Sequence, residues 1–329
     1  MSDRLLRAVG RRELARAANV LVKQLGVRAG DRFLLVCNPT GDEHCDLAAS
    51  VIEAARLRAA RIDVCEYPAG SRDGEEPPDK VAHALGDATA ATLLTRFSIS
   101  HTQARLQATR AGARIASLPG INAEVFARAI PTDYRQLRED GESLAEKLTA
   151  TSSCRVTGPG GTDVRLSLHG RTAICDDGDL RAPGAFGNLP AGEAYIAPVE
   201  NDASGRIVFD GSLSEWGLLE QPLTVALEHG RAISAEGGGA ARWLLETLDA
   251  GGPNGRVLAE LGIGTNPRAT VSGFVLEDEK ASETAHFAFG TNTGIGGENR
   301  ADVHIDALVL RPTIELDGTP IIDNGLLVG

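Results

Sequence analysis

Aromatic residues are scarce in this sequence: three Tyr, two Trp and eight Phe make up 4% of 329 residues. Any core must therefore be built from Val, Leu, Ile and Ala. The five cysteines (Cys37, Cys45, Cys65, Cys154, Cys175) are odd in number, with no Cys-x-x-Cys pair and no regular spacing. This argues against a disulfide framework or a cysteine-based metal knuckle, and the thiols read as small buried side chains. Positive charge is also short, with 33 Lys and Arg against 45 Asp and Glu and a net charge of -12. A nucleic-acid partner needs basic patches, and so does docking on an anionic membrane surface, so neither is expected. No segment approaches the roughly 20 apolar residues that span a bilayer. The basic N-terminus lacks the apolar stretch of a signal peptide, so a cytoplasmic protein is expected. Missing too are a Gly-x-Gly-x-x-Gly turn, a Walker-type Gly-x-x-x-x-Gly-Lys and a Gly-x-Ser-x-Gly elbow, which removes support for dinucleotide, nucleotide and serine-hydrolase sites of those types.

What is present divides into two textures. Up to about residue 150, short apolar runs alternate with helical patterns. The runs are Arg32 to Asn38 (stopped by Pro39), Arg61 to Tyr67, Ala91 to Thr95 and Arg114 to Leu118. The helical patterns lie at Leu5 to Leu25, Asp42 to Ala60, Lys80 to Leu85, Thr102 to Gly112, and Asn122 to Leu148 with a break at Pro131. That alternation predicts a parallel sheet with helices on both faces. Only ten of the 38 glycines precede residue 151, which shifts the second half toward turns and antiparallel strands. Cys154 to Leu168 and Leu223 to Ser234 read as hairpins, and Gly239 to Ala250 as one interrupting helix. The expected class is α/β: an N-terminal α/β domain with a parallel sheet over residues 1–150, then a β-rich α+β metal-binding domain over residues 151–329.

The chemistry concentrates between Glu260 and Asp306. In His304-x-Asp306 the two side chains share one face of a strand, because side chains alternate with a period of two. His286 lies in a similar apolar strand, where an unpartnered imidazole is costly to bury. Glu260 follows an apolar run, and Glu193 opens another. Imidazole and carboxylate are the ligand set that zinc, manganese, cobalt and ferrous iron share. These five residues are therefore candidate metal ligands.

The ordered motifs Asn188-Leu-Pro-Ala-Gly-Glu193-Ala-Tyr-Ile-Ala-Pro198-Val-Glu200, Glu260-Leu-Gly-Ile-Gly264, Asp278-Glu279-Lys280 with His286, Gly296-Gly297 and His304-Ile-Asp306 resemble the aminopeptidase T and aminopeptidase S metallopeptidases. The resemblance covers roughly residues 185–325, and is closest to shorter members described as leucyl aminopeptidase-like. It implies a homodimer with two adjacent divalent ions (zinc, cobalt, manganese or magnesium) on Glu193, Glu260, His286, His304 and Asp306, Glu260 bridging. It further implies hydrolysis of a peptide or small amide, with Glu193 or Glu260 accepting the proton from water and Lys280 facing the oxyanion. One departure is that Thr291-Asn292-Thr293 stands where those peptidases carry a tyrosine.

A second branch of the same scaffold resembles 2,5-dihydroxypyridine dioxygenases, which use one iron. That branch places a histidine at the position of Glu260 and lacks counterparts of Glu193 and His286. On this chain its iron would sit on His286, His304 and Asp306. The carboxylate-rich set favours the aminopeptidase reading. The alternatives are ring-cleaving oxygenase chemistry and a peptide-binding protein on the same scaffold.

Overall fold

The computed structural model describes residues 9–38, 41–58 and 61–328. Pro39 and Leu5, the expected stop of the first strand and start of the first helix, lie outside them. The chain forms two compact units: residues 1–132 with 178–191, and residues 133–177 with 192–329.

The first unit alternates helix and strand: α1 (Arg11–Gln24), β1 (Arg32–Cys37), α2 (Gly41–Arg56), β2 (Arg61–Glu66), α3 (Asp79–Asp87), β3 (Ala90–Leu94), α4 (Gln103–Arg110), β4 (Arg114–Ser117) and α5 (Ala123–Ala129). Helix starts are set by side chains that accept free backbone N–H groups: Thr102 from Arg105 before α4, and Asn122 from Val125 before α5. The sequence breaks at Pro131. After it Asp133 accepts from Arg135 and Gln136 to open α6 (Tyr134–Thr149), which belongs to the second unit.

β5 (Ser153–Thr157), β6 (Asp163–Ser167) and β7 (Ile174–Asp176) follow in that unit. The chain then returns to the first unit to supply β8 (Phe186–Asn188), giving a five-stranded parallel sheet in the order β2-β1-β3-β4-β8. Its inner strands β3 and β4 are buried along their whole length, as strands covered on both faces must be.

The rest of the second unit comprises β9 (Glu193–Ile196), β10 (Ala203–Phe209), β11 (Ser212–Leu213), β12 (Gly217–Leu218), β13 (Leu223–Glu228), β14 (Arg231–Glu236), α7 (Gly238–Ala250), β15 (Leu258–Gly264), α8 (Val275–Asp278), β16 (Thr284–Gly290), β17 (His304–Leu310), β18 (Thr313–Leu316), β19 (Thr319–Asp323) and β20 (Leu326–Leu327). They build two antiparallel sheets, one ordered β14-β13-β10-β6-β5-β18-β19-β20, the other β12-β11-β17-β16-β15-β9-β7. The sheets share a core with one side of α6 and α7. With few aromatics available, Phe209 joins the sheets by edge-on contacts to Phe287 and Phe289, each with ring centroids 6.4 Å apart.

Truncating that junction tests the packing. Phe209→Ala is expected to lower unfolding stability by about 3–5 kcal/mol, seen as a lower denaturant midpoint with an unchanged slope. A change under about 1 kcal/mol would show that the two sheets do not depend on it.

Candidate metal centre

Four adjacent strands of the seven-stranded sheet supply one cluster. Glu260 on β15 pairs with Ala288 on β16, which pairs with Asp306 on β17. Gly262 pairs with His286 and, on its other side, with Tyr195 of β9; Gly290 pairs with His304, and Gly264 with Glu193. Directly opposed residues share a face, so Glu193, Glu260, His286, His304 and Asp306 rise from the same side of the sheet. The opposite side carries Leu261, Ile263, Phe287, Phe289, Ile305 and Ala307 into the core.

A register shift between Leu258 and Glu260 makes this possible on β15. In a regular strand, residues two apart face the same way, and Glu260 would follow Leu258 into the core. The extra residue of the bulge turns it to the site. Glycine supplies the room. A Cβ on Gly262 would lie 2.0 Å from the ring carbon Cε1 of His286, so the imidazole rests directly over that backbone.

Glu260 stands between the two imidazoles. Its Oε1 is 3.3 Å from His286 Nε2 and its Oε2 is 3.3 Å from His304 Nε2, which is also 3.5 Å from Asp306 Oδ1. His304 Nδ1–H donates to the Thr291 carbonyl at 2.8 Å. That bond fixes the tautomer and presents Nε2 to the carboxylates. Among the described residues, ligand atoms of Glu260, His304 and Asp306 converge within 4.8 Å of one another.

Beside this triad, His286 Nε2 is 3.6 Å from Glu193 Oε2, and Glu193 Oε1 accepts from Lys280 Nζ at 2.6 Å. Lys280 also donates to Glu279 at 2.9 Å and is only 2% exposed. Its ammonium is thus engaged by two carboxylates. Sequence reasoning overlooked Glu279 and the Thr291 carbonyl. The adjacent acid and base in Asp278-Glu279-Lys280 signalled the first; a backbone acceptor leaves no sequence signal.

Burial pushes the Glu193 carboxyl up to about 8, against the pull of Lys280 and His286. Burial works against ionising Glu260 as well, but hydrogen bonds from His286 and His304 hold it well below the usual carboxylate range. For His286, burial opposes the charged form, yet Glu260 and Glu193 raise it to about 9. His304 is likewise raised well above an ordinary imidazole, burial being outweighed by Asp306 and Glu260. The two imidazoles are raised because carboxylates surround them: this face gathers negative charge.

A divalent cation offsets that charge. Glu193, Glu260, Glu279 and Asp306, with Asp176 opposite Glu193 on β7, gather around one ammonium, Lys280, so negative charge is in excess when the carboxyls are ionised. An ion on Glu260, His304 and Asp306 cancels two of these charges, and a proton on His286 cancels another. Among the described residues Glu193 Oε2 and His286 Nδ1 are buried without a hydrogen-bond partner, an arrangement that is costly unless a cation or ligand completes it. The donor set suits zinc, manganese or ferrous iron.

A family model described as NicX, 2,5-dihydroxypyridine 5,6-dioxygenase, matches residues 15–329. The chain belongs to this dioxygenase family. The 2,5-dihydroxypyridine 5,6-dioxygenase of Pseudomonas putida KT2440 is 24% identical over 305 residues, covering 85% of this chain and 86% of that protein. The solved structure of 2,5-dihydroxypyridine dioxygenase from the same organism superposes with a TM-score of 0.81 at 21% identity, covering 98% of both chains. Wild-type AmpT from Thermus thermophilus, an aminopeptidase T, gives a TM-score of 0.71 at 19% identity over 98% of this chain and 100% of its own.

These findings correct the expectation of a hydrolytic aminopeptidase. The likeness to aminopeptidase T is one of fold alone, while the family match over nearly the whole chain is to the dioxygenases. The α/β class stands.

The raised groups predict how the metal-free protein responds to pH. His286 goes from about 6.5 when unfolded to about 9 when folded, and Glu193 from about 4.5 to about 8. Both raised values stabilise the folded state at low pH, and both contributions are lost as pH rises through the folded values. Thermal stability of metal-free protein should therefore fall between about pH 4.5 and 9, most steeply where the two ranges overlap. Metal-loaded protein should fall less, because the ion replaces the protons. A flat profile for the metal-free form would contradict this electrostatic account.

Proposed function

We propose that this chain is a metal-dependent dioxygenase that opens the ring of a hydroxylated pyridine, with one ferrous ion held by Glu260, His304 and Asp306. The observation that carries the reading is the convergence of these three side chains on one sheet face in a chain of the 2,5-dihydroxypyridine 5,6-dioxygenase family. Two carboxylates and one neutral imidazole balance one divalent ion. Bound there, ferrous iron would supply the one-electron chemistry that dioxygen needs in order to react with an aromatic ring.

The remaining residues handle protons and position. Glu193 lies beside the triad and takes the proton released when a substrate hydroxyl ionises, while the protonated His286 beside it offsets charge. Lys280 holds Glu193 in place and offsets its charge. In the reaction of a 5,6-dioxygenase the C5–C6 bond breaks and both atoms of one dioxygen enter the product, so no external reductant is consumed.

The same residues carry a finer reading of the metal content. Glu193, His286 and the second oxygen of Glu260 are a donor set for a second divalent ion (zinc, cobalt, manganese or magnesium). One metal per chain by elemental analysis would favour the single-ion site, and two would favour the pair. The protein is further read as a cytoplasmic homodimer taking a small-molecule substrate. Among the described residues no helix is long and apolar enough to cross a membrane.

Protein purified without air and loaded with ferrous ion should consume one dioxygen per 2,5-dihydroxypyridine in an oxygen electrode. His304→Ala and Asp306→Ala should each lower turnover by more than the roughly 10–100-fold typical of losing an outer partner of a metal ligand. Iron-loaded wild-type protein that consumes no oxygen with any dihydroxypyridine would overturn the proposal.

A further inference from the structure

His304 owes its orientation to a loop that is held by charges outside the cluster. Between β16 and β17 the chain runs through residues 291–303, including the three exposed or half-exposed glycines Gly294, Gly296 and Gly297. A glycine-rich surface segment has much conformational entropy to lose. Its last residue, Val303, packs on the core, and the stretch before it is held by polar contacts.

Those contacts converge on Glu200, in the connection between β9 and β10. Glu200 Oε1 accepts from Asn292 Nδ2 at 3.0 Å and from the Glu298 N–H at 2.7 Å. Its Oε2 accepts from Arg171 Nη2, while Arg171 Nη1 donates to the Gly296 carbonyl at 2.7 Å. The pair is mostly shielded from water, with side chains 13% and 15% exposed. Such charge-assisted bonds are about twice as strong as neutral ones.

Inside the loop, Asn292 Oδ1 accepts from the Asn299 N–H at 2.8 Å, and Asn299 Nδ2 donates to the Gly290 carbonyl at 2.6 Å. A Cβ on Gly297 would lie 2.0 Å from the Asn292 side chain, so the turn closes only with glycine there. Asn292 follows Thr291 directly, and the Thr291 carbonyl is the group that accepts the hydrogen bond from His304 Nδ1–H at 2.8 Å.

We propose that Arg171 and Glu200 form a positioning pair for His304: by fixing the 291–299 loop, they hold the Thr291 carbonyl where it orients the imidazole and presents Nε2 to a cation. The inference rests on the reading of His304 as a metal ligand. Neither residue touches the triad. Their effect passes through the loop backbone, which is why motif spacing around the histidines does not reveal it.

The test is manganous-ion binding by calorimetry to metal-free full-length protein, comparing wild type with Glu200→Ala, Glu200→Gln, Arg171→Ala and the Arg171→Ala/Glu200→Ala double variant. Each alanine variant should bind roughly 10–100-fold more weakly. Glu200→Gln keeps an oxygen for Asn292 and Glu298 and should fall between. The double variant should lose far less than the product of the two single losses, because the residues act as one unit. Hydrogen exchange should rise across residues 291–299 in the alanine variants, while the global melting temperature changes little. Wild-type affinity in both single variants, with wild type binding the ion, would overturn this inference alone. Failure of wild type to bind any divalent ion would overturn it together with the metal reading.

Discussion

An excess of negative charge on one face of a β-sheet is the constraint on which the second unit depends. Glu193, Glu260 and Asp306 are each under a tenth exposed, and Lys280 is buried with them. Isolated ionised carboxylates do not survive in such a place, since burial penalises the charged form heavily. The surrounding groups respond accordingly: His286, His304 and Lys280 are all shifted toward their charged forms. A bound cation relieves the same imbalance, and metal affinity and protonation are therefore linked through the same side chains.

The scaffold is arranged to assemble these charges without exposing them. Antiparallel pairing of β9, β15, β16 and β17 brings residues far apart in sequence into adjacent rows. The bulge before Glu260 lets one strand send Leu258 into the core and a carboxylate to the site two positions later. Gly262 gives the His286 ring a place to lie. On the reverse face, Phe287 and Phe289 pack against Phe209, so the strands that carry the ligands are also those anchored to the partner sheet. A rigid backing of this kind holds ligand geometry better than loops can.

Much of this was legible in the sequence, for identifiable reasons. The alternation of strand and helix through Leu118 gives the parallel sheet, and Pro131 marks the break between α5 and α6. His304-x-Asp306 announces a shared strand face. The bulge at Glu260 was not legible, because Ala259 carries no mark that distinguishes an extra residue from a regular one. Neither was β8: a three-residue strand, drawn from between two segments of the second unit, is too short for any periodicity to show. The reaction class was not legible, because imidazole and carboxylate ligands serve hydrolytic and oxidative metals alike.

The most direct test of the central claim is the position of a divalent ion in the folded protein. Crystals prepared without air and soaked in manganous or ferrous ion should show an anomalous-scattering peak at roughly 2.0–2.3 Å from ligand atoms of Glu260, His304 and Asp306. A peak elsewhere, or none at saturating ion, would contradict the account, since the buried carboxylates would then be balanced by protons and Lys280 alone.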